Sequence, residues 1–132
     1  MENVELVGLL GRYSYQVCDL KLPWSEKGGC YVFARKDGNL YYILRVGKCV
    51  NFKARPMPPS HECWSNAVIN HGATHILARE IDTEANRIAE EQDLIAAYNP
   101  PMNVQHRTSL TGQAALPSRG LFGNGLINRA GG

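Results

Sequence analysis

Hydrophobic and polar positions change rhythm along the chain, and those changes mark its elements. Residues 30–36 (CYVFARK) and 40–46 (LYYILRV) are dense in strand-forming residues, with Asp37 and Gly38 between them. Two such runs joined through Asp-Gly read as a β-hairpin, with Gly28 and Gly29 before it and Gly47 ending its second strand. Asn51 can cap a short helix through Arg55, and Pro56, Pro58 and Pro59 forbid its continuation. Ser60 can cap the next helix, which carries Trp64, Ala67, Val68 and His71 at helical spacing and stops at Gly72. Residues 73–81 read as a third strand. Asp82 or Thr83 opens the longest helix, over 84–98, and Asn99-Pro100-Pro101 ends it. Val4, Leu6, Val7 and Leu10 suggest a short helix face near the start.

The expected order is β-β-α-α-β-α, a small α+β domain whose three-stranded mixed or antiparallel sheet is flanked by helices. Residues 1–27 read as an N-terminal extension, 28–104 as the domain, and 105–132 as a basic, Gly-rich tail. The tail has no periodic apolar pattern, so it is expected to be flexible.

Composition adds bounds. At 132 residues and 44% hydrophobic content, one domain with a real core is expected. No apolar run approaches the roughly eighteen residues a membrane helix needs. No basic segment precedes an apolar stretch at the N-terminus, so no signal peptide is read there. Cys18, Cys30, Cys49 and Cys63 show no C-x-x-C spacing. They are expected to be reduced, mostly buried thiols in a cytoplasmic, intracellular protein rather than a disulfide framework or a zinc site. The net charge of +2 does not by itself declare a nucleic-acid partner. Its distribution is more telling: no Asp or Glu follows Asp93, and Arg45, Lys48, Lys53 and Arg55 fall close together.

One charge breaks the hydrophobic pattern of the longest helix. Projected at about 100° per residue, Ile88, Ile95 and Tyr98 share a side, and Glu91 falls between Ile95 and Tyr98. Glu90 falls toward Ala97, farther from the middle of that face. A carboxylate on an apolar stripe needs a metal, a basic partner or a proton. A stabilising ion pair is one reading. A metal ligand at a cleft edge is the other, since magnesium sites in phosphate chemistry use as few as one or two protein carboxylates. Arg suits phosphate through its planar fork. Lys48, after Gly47, and Arg55, seven residues later, can face one phosphate, or simply decorate a basic turn. A strand tyrosine such as Tyr31 becomes a base only with help from nearby cations or a metal-bound water.

Three segments together resemble the GIY-YIG nuclease family, over residues 29 to 103. Gly29-Cys30-Tyr31 is similar to the first signature triplet. Val46 to Arg55 (VGKCVNFKAR) resembles the V-G-K-x-x-N-L-x-x-R segment. Glu91 to Ile95 (EQDLI), with Pro100-Pro101-Met102-Asn103, resembles the E-x-x-L-I…P-P-x-N segment. The ending is similar to that of small stand-alone phage-type endonucleases of the family.

The resemblance implies a metal-dependent endonuclease that hydrolyses DNA phosphodiester bonds. Tyr31 would activate or orient the attacking water. Arg55 would stabilise the phosphate with Lys48. Glu91 would hold one divalent ion, Mg2+ or Mn2+, and Asn103 would orient the site. His61 is the candidate for the Tyr or His that many members carry after the Arg. The second triplet departs from the family: the downstream match aligns Arg45-Val46-Gly47 with it, and the upstream spacing points to Tyr42-Ile43-Leu44. A bulge in the second strand would accommodate the extra residues, and Tyr42 would then supply the hydroxyl. The implied partner is DNA, read by the monomer or through a homodimer or higher oligomer. The alternative is a catalytically degenerate GIY-YIG-like domain that binds nucleic acid without cutting it. A third reading makes Glu91 and Arg55 a purely stabilising pair.

Overall fold

The computed structural model describes residues 2–18, 24–54, 61–103 and 128–129. It corrects the expected architecture. Instead of a three-stranded sheet, one antiparallel sheet runs in the order β1-β2-β5-β3-β4-β6. Its strands are β1 (Asn3–Val7), β2 (Arg12–Cys18), β3 (Gly29–Asp37), β4 (Leu40–Cys49), β5 (His75–Glu80) and β6 (Asn128–Arg129). The sheet curls into a half-barrel, so that β1 approaches β6. Two helices complete the described fold, α1 (Trp64–His71) and α2 (Glu84–Tyr98).

The main departure lies in residues 1–27. Val4 and Leu6 are buried while Glu5 and Val7 are exposed, the period of a strand, not of a helix. β1 pairs with β2, and β2 pairs with β5, which attaches this hairpin to the sheet. Other expectations differ less. The turn after β3 has Gly38 at φ 63°, as Asp-Gly hairpins require. β4 continues through Gly47 to Cys49 instead of stopping at the glycine. Asn51 Oδ1 accepts from the backbone N–H groups of Lys53 and Ala54, the capping contact expected of it, over a turn at 52–54. Ser60 and Arg55 lie outside the described residues, and α1 begins after Cys63.

α2 matches the expected limits because its ends are chemically fixed. Thr83 Oγ1 accepts from Asn86 N–H, and Asn99 takes the left-handed conformation at φ 47° before two prolines. The helix packs on one sheet face, where Val4, Leu6, Tyr15, Val32, Ile43, Leu77, Leu94 and Tyr98 form the main core. α1 packs on the other face, where Trp64 and Ala67 join Tyr31, Phe33, Phe52 and Ile76.

Candidate active site

The β3–β4 register sets which residues of β4 lie opposite Tyr31. Tyr31 pairs with Gly47, Val32 with Val46 and Phe33 with Arg45. A bulge at Leu44 then shifts the register, so that Ala34 meets Ile43 and Arg35 meets Tyr42. Arg45-Val46-Gly47 therefore lies against Tyr31. Tyr42 sits four β3 residues away, about 13 Å along the strand, where its ring lies 4.3 Å below the Arg35 guanidinium. Two glycines of the motif have a steric reason. A Cβ at Gly47 would lie 2.4 Å from the Tyr31 Oη, and a Cβ at Gly29 would lie 1.9 Å from the Arg79 carbonyl oxygen.

Tyr31 is 1% exposed and His61 3%. The Tyr31 Oη lies 3.0 Å from His61 Nε2. The Cys63 backbone N–H donates to His61 Nδ1 over 3.0 Å, so Nδ1 carries a lone pair and the ring proton sits on Nε2. His61 thus donates to the Tyr31 oxygen. Phe33 fixes this pair edge-on, with its ring 5.0 Å from His61 and 5.1 Å from Trp64.

Lys48 and Glu91 belong to the other face. Strand alternation turns Lys48 with its partner Cys30 toward α2. Lys48 Nζ lies 2.7 Å from Glu84 Oε2. That hydrogen bond, with the charges of Glu84 and Glu91, raises the Lys48 pKa. Burial first, then Glu90 and Glu91, push the Cys30 thiol up to about 12. Glu91 is half-buried beside these groups.

Its neighbour takes the deeper position, which corrects the helix projection. Glu90 is buried while Ile88 is exposed. Glu90 accepts from the Tyr15 hydroxyl at 2.6 Å and from Arg79 Nε at 3.1 Å. The helix turns its 90/94 stripe inward because the β1–β2 hairpin supplies polar partners there. Asp93 continues the seam, accepting from Leu9 N–H, Leu10 N–H and the Tyr13 hydroxyl. The Tyr98 hydroxyl accepts from Val7 N–H.

Asn103 has an unforeseen role. Its amide accepts from Val46 N–H at 2.9 Å and donates to Val46 O at 3.1 Å. It therefore pairs with β4 at the middle residue of the second triplet. Arg45 Nη1 reaches the neighbouring Met102 carbonyl at 3.5 Å.

The candidates thus form two groups one residue apart along β3 and β4, on opposite sheet faces: Tyr31 and His61 on one, Lys48 and Glu91 on the other. Asn103 lies at the strand edge beside both. Tyr42 is remote, and Arg55 lies outside the described residues. Among the described residues no three His, Cys, Asp or Glu side chains converge on a metal position. One protein carboxylate, half-buried as Glu91 is, fits a magnesium or manganese ion that keeps waters and substrate oxygens as its other ligands. No disulfide joins the four cysteines. No helix among the described residues is long and apolar enough to cross a membrane. Sequence reasoning missed the burial of Glu90 and Asp93, and left Arg45 as one of two alternatives for the second triplet. The alternating Tyr13-Ser14-Tyr15-Gln16-Val17 run was the available signal for the strand that partners the first two.

No protein-family model matches the chain, and no solved structure matches it. The chain is similar to the UvrABC system protein C of Mycoplasma capricolum subsp. capricolum, at 30% identity over 82 residues. That stretch covers 61% of this chain but 14% of the relative, so the chain spans about a seventh of that protein's length. The likeness gives no support to a narrower, phage-type reading of the chain.

Proposed function

We propose that this chain is a metal-dependent endonuclease hydrolysing DNA phosphodiester bonds. The observation that carries the reading is the order at the β3–β4 ribbon. Tyr31 lies against Gly47 with the His61 Nε2–H on its oxygen, and the next residue of β4, Lys48, stands on the opposite sheet face beside Glu91. A hydrogen bond donated to the phenol oxygen favours its phenolate form; as the phenol Tyr31 would orient the attacking water, and as the phenolate, its own proton given up to solvent, it would take a proton from that water. Tyr31 is almost wholly buried, so that water must enter with the phosphate. Lys48 and Arg55 would neutralise the phosphate oxygens. Glu91 would hold the divalent ion, Mg2+ or Mn2+, which when bound offsets phosphate charge and assists the leaving oxygen. Asn103 would hold Arg45-Val46-Gly47 in place by its two bonds to Val46. The similarity to a UvrABC system protein supports DNA as the polymer bound.

The test is incubation with supercoiled plasmid and magnesium, repeated with Glu91→Ala. Nicking or linearisation by the wild type alone is the expected result. Intact DNA from both proteins across salt and metal conditions rejects the reading.

A second reading, binding without cutting, is favoured by the 1% exposure of Tyr31 and by Arg45 in the second triplet. Binding would then persist in chelator and weaken steeply with salt through counterion release. Metal-dependent cleavage by the wild type eliminates it.

A further inference from the structure

On the sheet face that carries Tyr31, one row of paired residues crosses five strands. It runs from Asn3 on β1 through Gln16 on β2, Ala78 on β5 and Tyr31 on β3 to Gly47 on β4. α1 packs over the β3 part of this face through Trp64 and Ala67. Beyond it, over β1, β2 and β5, lies a cleft of about 390 Å³ lined by Asn3, Ser14, Gln16, Trp24, Phe52 and Glu80 among others. That volume falls in the range of about 300–1,000 Å³ typical of small-ligand sites.

The lining chemistry narrows the occupant. Trp24 is half-buried and backed by the buried Phe52, at 6.0 Å between ring centroids with planes 31° apart. It offers a held aromatic wall to a flat ligand. Gln16 and Asn3 are cross-strand neighbours whose amides each donate and accept. The side chains of Asn3, Ser14 and Gln16 make no hydrogen bond among the described residues. Phosphate is a poor fit, because Glu80 contributes a carboxylate and the Arg79 guanidinium is bound to Glu90 on the opposite face. A neutral, planar, hydrogen-bonding ring fits these walls, and amide side chains pair best with the edge of adenine.

We propose that this cleft receives an unpaired nucleobase, adenine foremost, of the DNA strand being cut. The base stacks on Trp24 and its edge is read by Gln16 and Asn3. Gln16 lies two strands from Tyr31, about 10 Å, within reach of a nucleotide beside a phosphate held there. The inference rests on the endonuclease reading for its polymer. Asn3, Ser14 and Gln16 belong to the β1–β2 hairpin and, with Trp24, lie outside the segments that carry the family resemblance. Extruding a base costs stacking and pairing energy, which is least at mismatched or single-stranded positions.

The test is a titration in chelator of the full chain with dAMP, dCMP, dGMP and TMP, and with short single-stranded oligonucleotides, followed by tryptophan fluorescence. Saturable quenching is expected, strongest with adenine and lost in Trp24→Phe, because Trp64 is buried against Phe33 away from the cleft. Gln16→Ala should weaken adenine binding about 5- to 150-fold and flatten the base preference. Trp24→Ala should weaken every base by a similar factor. Should Trp24→Ala misfold, Gln16→Ala, at an exposed position, still decides. Adenine-selective quenching by a protein that never cuts DNA would keep the base site and sink the endonuclease reading. Metal-dependent cleavage with no quenching, and with unchanged base preference in Gln16→Ala, would overturn the base site and leave the endonuclease reading standing.

Discussion

The two faces of the sheet use polar groups in opposite ways. Under α2, acids are buried against partners supplied by the chain itself: Glu90 on Tyr15 and Arg79, Asp93 on the β1–β2 turn and Tyr13. Under α1, an aromatic cluster holds Tyr31 and His61, and beyond it the sheet shows polar side chains with no partner among the described residues. Internal partners mark groups that serve folding, since an unpaired buried charge is costly. Groups without them are available to a ligand. The adjacent acids Glu90 and Glu91 differ in depth, Glu90 locked into the seam and Glu91 half-buried beside Lys48.

The sharpest way to break the contrast is to exchange the effects of that pair. Glu91→Ala should reduce plasmid cleavage about 100- to 1,000-fold, the scale of losing one strong electrostatic contact to the transition state. Its denaturant midpoint should stay close to the wild type. Glu90→Ala should instead cost about 3 kcal/mol of stability, the low end for breaking a buried pair because Arg79 reaches water. A chemical-denaturation curve and a nicking time course on both variants decide. If Glu90→Ala leaves stability intact and abolishes cleavage, the assignment of the two glutamates is reversed.

His61 tests the aromatic face. His61→Ala removes the donor to the Tyr31 oxygen, and cleavage should fall by at least about 100-fold, the lower range for acid–base assistance. Stability should also drop by about 1–3 kcal/mol, since the buried Tyr31 hydroxyl loses its bond to His61. A merely structural role predicts the stability loss with an unchanged pH–rate profile in the surviving activity. A shifted profile supports the role in activating water.

Asp93 gives a smaller effect with a definite sign. Burial works against its charge, but the bonds from the Tyr13 hydroxyl and the Leu10 and Leu9 N–H groups outweigh it and hold the carboxyl below its ordinary value. The folded state therefore binds this proton less readily than the unfolded chain does. The stabilisation is present above the ordinary carboxylate value of about 4 and fades as pH falls through the lower folded value. Asp93→Asn should lower the midpoint at pH 7 and flatten the acid limb of stability against pH. An acid limb as steep as that of the wild type would assign acid sensitivity to other groups. The same contact affects Tyr13, whose hydroxyl is pushed up to about 12 by burial and then by Asp93.

How much of this was legible in the sequence follows from how local each signal is. α2, its Thr83 cap and its Asn99 stop were readable because caps and prolines act within a few residues. The β3–β4 hairpin was readable from Asp37-Gly38 for the same reason. The β1–β2 hairpin was not, because Val4, Leu6 and Val7 suit a helix turn as well as a strand, and pairing with β5 some sixty residues away decides between them. The same distant pairing misled the helix projection. Glu90 is tolerated on the inner stripe only because Tyr15 and Arg79 meet it there, so the polar residue was assigned to the wrong side. The choice between Tyr42 and Arg45 depended on a bulge at Leu44, which no local spacing specifies.

The gentlest test concerns an ion pair that joins α2 to the candidate site, Lys48 with Glu84. Glu84 is held below its ordinary value first by the Lys48 hydrogen bond and then by Arg87, and both partners of the Lys48–Glu84 pair are substantially exposed. Exposed pairs add little to stability, so Glu84→Gln should leave the denaturant midpoint unchanged. It should still release Lys48 for phosphate. DNA binding in chelator should then tighten a few-fold, and the slope of log affinity against log salt should steepen by about one contact's worth. Combining the change with Lys48→Ala should erase the difference. If Glu84→Gln alters neither affinity nor salt slope, Lys48 does not meet the phosphate. The search for phosphate contacts would then move to Arg45, on the face that carries Tyr31.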